Sequence, residues 1–248
     1  MNDVQLAPHR FAALVAPAAD RVFTGAMAAG RDRGGAELSQ RYGGPAATGF
    51  LVEFRTRLAA PGGTVSGAGV AAVTRYRDQV ECQRVLDRQV AHGMIHRTDG
   101  GGFRATERGR AFLAEIYDLH ARVTWELWKE HAQRVVRLVD RLGLLLRSAY
   151  ADGGDAYHAM APPHEPDGTP PGVLLLNRLG TLRYHRADAH AAAWTAAGHT
   201  ARSIAELAPG PERLAIELET DRRAAGPYAV LAPPERLALL ADLAALPT

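Results

Sequence analysis

Between residues 64 and 110 the hydrophobic period changes several times within one short stretch. Val70, Ala71 and Val73 are spaced as a short helix, Arg77, Asp78 and Gln79 form a polar turn, and residues 80–91 carry Val85, Leu86 and Val90 at the apolar positions of a second helix. His92 and Gly93 end that helix, since glycine accepts the positive φ of a helix terminus. Residues 94–97 then run extended into the DGGG stretch at 99–102, which permits a tight reversal, and residues 103–105 return as a second strand. Thr106 caps a further helix with Glu107 in its first turn. The pattern predicts a winged helix-turn-helix with a small β-hairpin wing inside a mainly α protein.

Ahead of this unit, Phe11, Leu14, Val15, Val22 and Phe23 fall at helical spacing across residues 8–29, interrupted by Pro17, and predict one kinked helix or two short ones. Residues 30–35 form a loop, 37–42 a short helix, and Phe50, Leu51, Phe54 and Leu58 mark the next. Behind the unit, residues 107–150 carry one long apolar stripe that either breaks near 129–131 or forms an extended dimer arm. Trp125 and Trp128 on that run are expected in the core or a dimer contact. Residues 152–172 are rich in proline and glycine without a period and read as a linker or lid; residues 173–248 read as a helical C-terminal domain. The division is therefore 1–151, 152–172 and 173–248.

Composition narrows the picture only slightly. The 248 residues are 47% hydrophobic, enough for a full core, and carry a formal net charge of +2, which gives no overall electrostatic footprint for nucleic acid. One cysteine, Cys82, excludes an intrachain disulfide and fits a reducing, cytoplasmic setting. The start MNDVQLAPHRF lacks a signal-peptide pattern, and no run of about 18 uncharged apolar residues predicts a membrane span. His158 and His164 lack thiolates or a fixed third partner, so no metal or other cofactor is expected.

The LDRQVAHGMIHR segment followed by GGGFRATERGR resembles the recognition helix and wing of MarR-type winged-helix regulators, in which a leucine-rich helix ends in glycine, an apolar pair and arginine, and the wing leads to Thr-x-x-Gly. Gln89 stands where that pattern prefers leucine, and Glu81 and Asp87 add acidic charge to the helix. The resemblance implies a homodimer that reads DNA with residues 80–91, with Arg77, Gln83, Arg84 and Arg88 as contacts and Arg104 in the wing near the backbone.

The chemistry of the C-terminal part lies in a mismatch of charge and pattern. Residues 173–197 form a helix with Leu175, Leu179, Leu182, Ala189 and Ala193 on its apolar stripe, and a turn of about 100° per residue puts Arg186 and His190 inside that stripe. The helix over 212–225, whose buried face reads as Leu214, Leu218 and Ala225, places Glu217 and Asp221 the same way. An unpaired buried charge is costly, so the two helices are expected to pack with Arg186 and His190 against Glu217 and Asp221. His185, Asp188 and His190 cannot converge on a metal from one helix, because Asp188 and His190 point to roughly opposite sides.

LRYHRADAHAAAWTAAG and the downstream IELETDRRAAGPYAVL resemble the C-terminal signature of actinobacterial SalK-like helix-turn-helix proteins. Arg183, His185, Arg186, Asp188, His190, Gly198, Glu217, Thr220, Asp221 and Pro227 fall on that pattern, and Tyr228 replaces its tryptophan. In that group the winged unit lies between the two blocks, whereas here it precedes both.

Two functions follow as expectations. One is a cytoplasmic, ligand-responsive transcriptional regulator whose C-terminal part senses a small molecule through Arg186, His190, Tyr184 and Trp194. The other is a small-molecule enzyme of secondary metabolism on a winged-helix scaffold, with His190 as acid or base, Asp221 or Glu217 orienting it and Arg186 holding an anion.

Overall fold

The computed structural model describes residues 6–248 and is mainly helical with one small two-stranded antiparallel sheet. Residues 1–5, which carry part of the signal-peptide reading, lie outside the described residues. Helix α1 spans Pro8–Gly30, with a proline at its start where the missing N–H costs nothing. Pro17 sits inside α1 without breaking it, so the segment is one helix. It buries Phe11, Ala12, Val15, Ala19, Val22 and Ala26, while Leu14 faces outward. Continued through Arg41, this stretch is long and apolar enough by length and composition to cross a membrane; its charges at Asp20 and Arg21 and its buried face suit a core helix.

After a kink at Arg33 and Gly34 the chain forms α2 (Ala36–Arg41), α3 (Pro45–Glu53) and α4 (Arg55–Leu58). Helices α5 (Gly67–Val73) and α6 (Gln79–Ala91) follow, each started by a side-chain cap. Ser66 Oγ accepts from Gly69 N at 3.0 Å and Asp78 Oδ1 from Glu81 N at 2.9 Å. Gly93 takes φ 65° and lets the chain leave α6 for β1 (Ile95–Arg97), which pairs with β2 (Phe103–Ala105) in the register Ile95 to Ala105. Val65 exchanges two backbone hydrogen bonds with Phe103 on the other edge of β2, at 3.0 and 2.8 Å. Gln89 is fully buried; in the amide orientation that satisfies both ends it donates to Ala47 O and accepts from Phe50 N, tying α6 to α3. A leucine there could do neither.

Thr106 caps α7 (Glu107–Trp128) by accepting from Gly109 N at 3.1 Å. The long run breaks at a 3₁₀ turn over Lys129–His131 before α8 (Ala132–Ala149), which decides between the break and the extended arm. Trp128 is buried and donates to Pro247 O at 3.1 Å, whereas Trp125 is 63% exposed.

The proline-rich stretch departs from the linker or lid expected of 152–172. It contains α9 (Asp155–Met160), which buries Ala156, Tyr157 and Met160, and its Glu165 pairs with Arg178 at 2.6 Å. The start of α9 is held by Asp188, which accepts from Tyr157 N at 2.8 Å and Ala156 N at 3.3 Å. The chain ends in α10 (Pro171–Ala196), α11 (Ala201–Glu206), α12 (Pro211–Arg223), a 3₁₀ segment Gly226–Val230 and α13 (Pro233–Ala244).

Two cores organise these elements. One joins α1 to α8, α10, the 3₁₀ segment and α13; the other joins α3 through α7 and the hairpin. Because α1 packs with the C-terminal helices, the cores do not follow a division at residue 151. Helix α12 also corrects its predicted face. Leu214 and Leu218 are 60% and 48% exposed, and Ile216, Thr220, Asp221 and Ala224 are buried instead. The face turned toward α10 is the one whose carboxylates find cations there.

Candidate functional site

Arg183, Arg186, Ala187 and His190 recur at intervals of three and four along α10 and so share one face. Glu217, Thr220 and Asp221 do the same on α12. The two faces meet. Arg186 Nη1 lies 2.7 Å from Asp221 Oδ1, Arg186 Nη2 3.7 Å from Glu217 Oε2, and His190 Nε2 3.7 Å from Glu217 Oε1. Helix α1 forms a third wall through Pro17 and Asp20, the latter paired with Arg183 at 2.7 Å. Tyr228 lies below and Tyr76, from the α5–α6 turn, closes the remaining side of a cleft of about 370 Å³.

The cluster is assembled but not satisfied. Arg186 Nη1 and Asp221 Oδ1 are in ion-pair contact, yet the N–H is not aligned with the oxygen, so neither atom has a hydrogen bond. His190 Nε2 is likewise buried without a partner. A buried polar atom left unpaired costs about 1–3 kcal/mol; His190 Nε2 is in that position, while Arg186 Nη1 and Asp221 Oδ1 still compensate each other's charge at 2.7 Å.

The tautomer of His190 can be assigned from its neighbours. Trp194 Nε1 donates to the Tyr76 hydroxyl at 3.0 Å, so the tyrosine proton is free to donate to His190 Nδ1, 2.8 Å away. That leaves the imidazole proton on Nε2, facing Glu217. Burial pushes His190 below the ordinary histidine pKa; Glu217 opposes this, and Arg186, Arg213 and Arg75 reinforce it. Burial likewise pushes Tyr76 up. The cleft is therefore backed by a neutral imidazole N–H, a guanidinium and a carboxylate whose facing atoms are buried, so a ligand must shift these side chains to bond them.

Other expected site residues are placed differently. Tyr184 turns away from the cleft: its hydroxyl donates to Glu53 and its ring packs against the second core. Trp194 enters the network only through Tyr76. Asp188 pairs with Arg75 while capping α9, and His185 is buried edge-on against Tyr157 at 5.7 Å. No group of three or more potential metal ligands occurs among the described residues.

The residues expected to touch DNA are on the surface but engaged. Arg77 pairs with Glu53 at 3.2 Å, Gln83 with Asp87 at 3.0 Å, Arg84 and Arg88 with Glu81 at 3.5 and 2.8 Å, and Arg104 with Thr64 Oγ1 at 3.2 Å. Exposed pairs of this kind exchange readily with other anions. Tyr76 and Asp20 are the site residues that sequence reasoning missed; an aromatic ring in an otherwise polar turn was the available signal for the first.

No family model, curated protein or solved structure matches this chain.

Proposed function

We propose that the protein is a ligand-responsive DNA-binding transcriptional regulator, a cytoplasmic homodimer in which α5, α6 and the β1–β2 hairpin act as a MarR-like winged helix-turn-helix. The observation that carries this reading is the hydrogen bond from Tyr76 to His190. It ties the turn between the two helices of the DNA-reading unit to the unsatisfied cleft, so a ligand that engages His190 competes with or reshapes that contact. The strand-like pairing of Val65 with Phe103 supports a three-stranded wing. The exposed Trp125 and Val136 offer apolar surface for a second copy. The ligand suited to the cleft is a small polar molecule with acceptors for Arg186 and His190 and a donor for Asp221. The SalK-like resemblance is part of the proposal; of its residues Arg183, Arg186, His190, Glu217, Thr220 and Asp221 belong to this polar cluster.

The test is electrophoretic mobility shift with the DNA upstream of the protein's own coding sequence at several salt concentrations. Binding that weakens steeply as salt rises, and that changes when Tyr76 is replaced by Phe, supports the reading. The absence of any salt-sensitive shift removes it.

A second reading, a small-molecule enzyme on the same scaffold, is favoured by the pairing of Arg84 and Arg88 with Glu81, which keeps the helix surface near neutral. In it Arg186 and His190 bind substrate, with Asp221 and Glu217 orienting them. The assigned tautomer weighs against His190 as a resting general base, since the nitrogen facing the cleft carries the proton. Turnover lost in a folded His190→Ala variant would favour this second reading.

A further inference from the structure

A larger pocket, about 480 Å³, opens further along α1 toward its C-terminal end, between the kink after α1, helices α2 and α3, and α7. Its walls are mostly apolar, formed by Phe23, Met27, Val52, Ile116 and Leu119, and at its base stands His120. The imidazole is 4% exposed and its Nδ1 is buried with no partner; no protein hydrogen bond reaches either ring nitrogen among the described residues. Three hydroxyls line it and all are engaged: Ser39 and Thr48 bond each other at 2.7 Å, Thr48 also donates to Gly44 O, and Thr24 donates to Asp20 O at 2.7 Å. Arg31 at the mouth is paired with Asp32 at 3.3 Å and points into solvent. Burial, reinforced by Arg55, holds the His120 pKa down at about 3, so the ring is neutral across the physiological range. The interior thus has room for a drug-sized molecule, no fixed charge, and, among its described lining residues, one buried polar group without a partner; the Gln40 amide stands at the exposed edge.

We propose that this pocket is a binding site for a small, uncharged, mostly apolar molecule whose single hydrogen-bonding group pairs with His120. A buried imidazole kept without a partner is costly, and an apolar residue of similar size would remove that cost. Its presence at the base of an apolar pocket is the expected arrangement when the missing partner arrives with a ligand. An ionised ligand would meet no compensating charge here and would have to give up its hydration.

The experiment is fluorescence titration with N-phenyl-1-naphthylamine, a neutral apolar probe with one N–H donor and emission that rises in apolar surroundings. The full-length protein is expected to bind it saturably. Ala28→Phe and Val52→Phe, which fill the pocket from opposite walls, should each weaken binding at least about tenfold. His120→Leu should weaken it about three- to tenfold, the loss of one hydrogen bond, while melting at or above the wild-type temperature. Arg186→Met, in the first cleft, should leave probe binding unchanged. The proposal is overturned by any of four results: no saturable binding, undiminished binding in both filled variants, undiminished binding in His120→Leu, or loss of binding in Arg186→Met. It is also overturned if His120→Leu melts well below wild type, which would make the imidazole a structural group.

Discussion

Two arginine–aspartate clusters in this protein look alike in sequence and differ in one respect. At the α8–α13 junction, Asp242 accepts from Arg137 Nε and Nη2 at 3.0 and 2.7 Å and from Arg141 Nη1 at 2.9 Å, so both of its oxygens are satisfied. At the α10–α12 junction, Asp221 faces Arg186 at a similar distance, yet Asp221 Oδ1, Arg186 Nη1 and the neighbouring His190 Nε2 lack aligned partners. The first cluster closes a seam; the second lines a cleft. Saturated hydrogen bonding marks a group that serves the fold, and unsatisfied capacity beside open volume marks one available to a ligand.

The largest effect expected from this contrast is on stability at Asp242. Asp242→Ala leaves Arg137 and Arg141 without their acceptor and should cost more than the other substitutions, about 2 kcal/mol or slightly above in chemical denaturation, because Arg141 is mostly buried while Arg137 can be hydrated. Burial alone would raise the Asp242 carboxyl, but hydrogen bonds from Arg137 and Arg141 outweigh it and hold the pKa below the usual value. A lowered folded-state pKa stabilises above the unfolded value near 3.9 and loses that contribution as pH falls through the folded value. The difference between wild type and Asp242→Asn should therefore be full at neutral pH and shrink below about pH 4.

Asp188→Ala comes next. It removes the Arg75 pair and two N–H bonds at the start of α9, and should cost about 2 kcal/mol with increased proteolysis between α9 and α10. At the cleft the effect should be smaller and can change sign. His190→Leu is expected within about 1 kcal/mol of wild type at pH 7, since removing the partnerless Nε2 offsets the loss of the Tyr76 hydrogen bond to Nδ1. Because burial lowers the folded-state pKa of His190, wild type should lose stability relative to His190→Leu as pH falls below about 6.5, where the unfolded histidine takes up its proton first. A clear loss of stability in His190→Leu at pH 7 would erase the distinction between the two clusters. The smallest effect belongs to the α6 surface, where Arg84→Ala should change the melting temperature little, as expected for an exposed pair.

What the sequence made legible was local or charge-driven. The end of α6 and the start of α7 follow from Gly93 and Thr106, whose roles depend on residues nearby in the chain, while the equally local caps at Ser66 and Asp78 were passed over. The meeting of Arg186 and His190 with Glu217 and Asp221 followed from the cost of leaving such groups alone. The face of α12 was not legible, because Leu214 and Leu218 mimic an apolar stripe and only the tertiary position of α10 selects the opposite one. Helix α9 was hidden in a proline-rich composition because its capping carboxylate, Asp188, comes from 31 residues downstream of Tyr157. Tyr184 was assigned to the cleft for want of knowing that Glu53, 131 residues earlier, would claim its hydroxyl. Contacts over such separations have no local signature.

Tyr76 and His190 link the α5–α6 turn to the cleft. Amide hydrogen exchange on wild type and His190→Leu at neutral pH tests this link most directly. Exchange should be faster in His190→Leu at residues 74–78 and their immediate neighbours, with α8 and α13 unchanged. Identical exchange across the turn in the two proteins would contradict it.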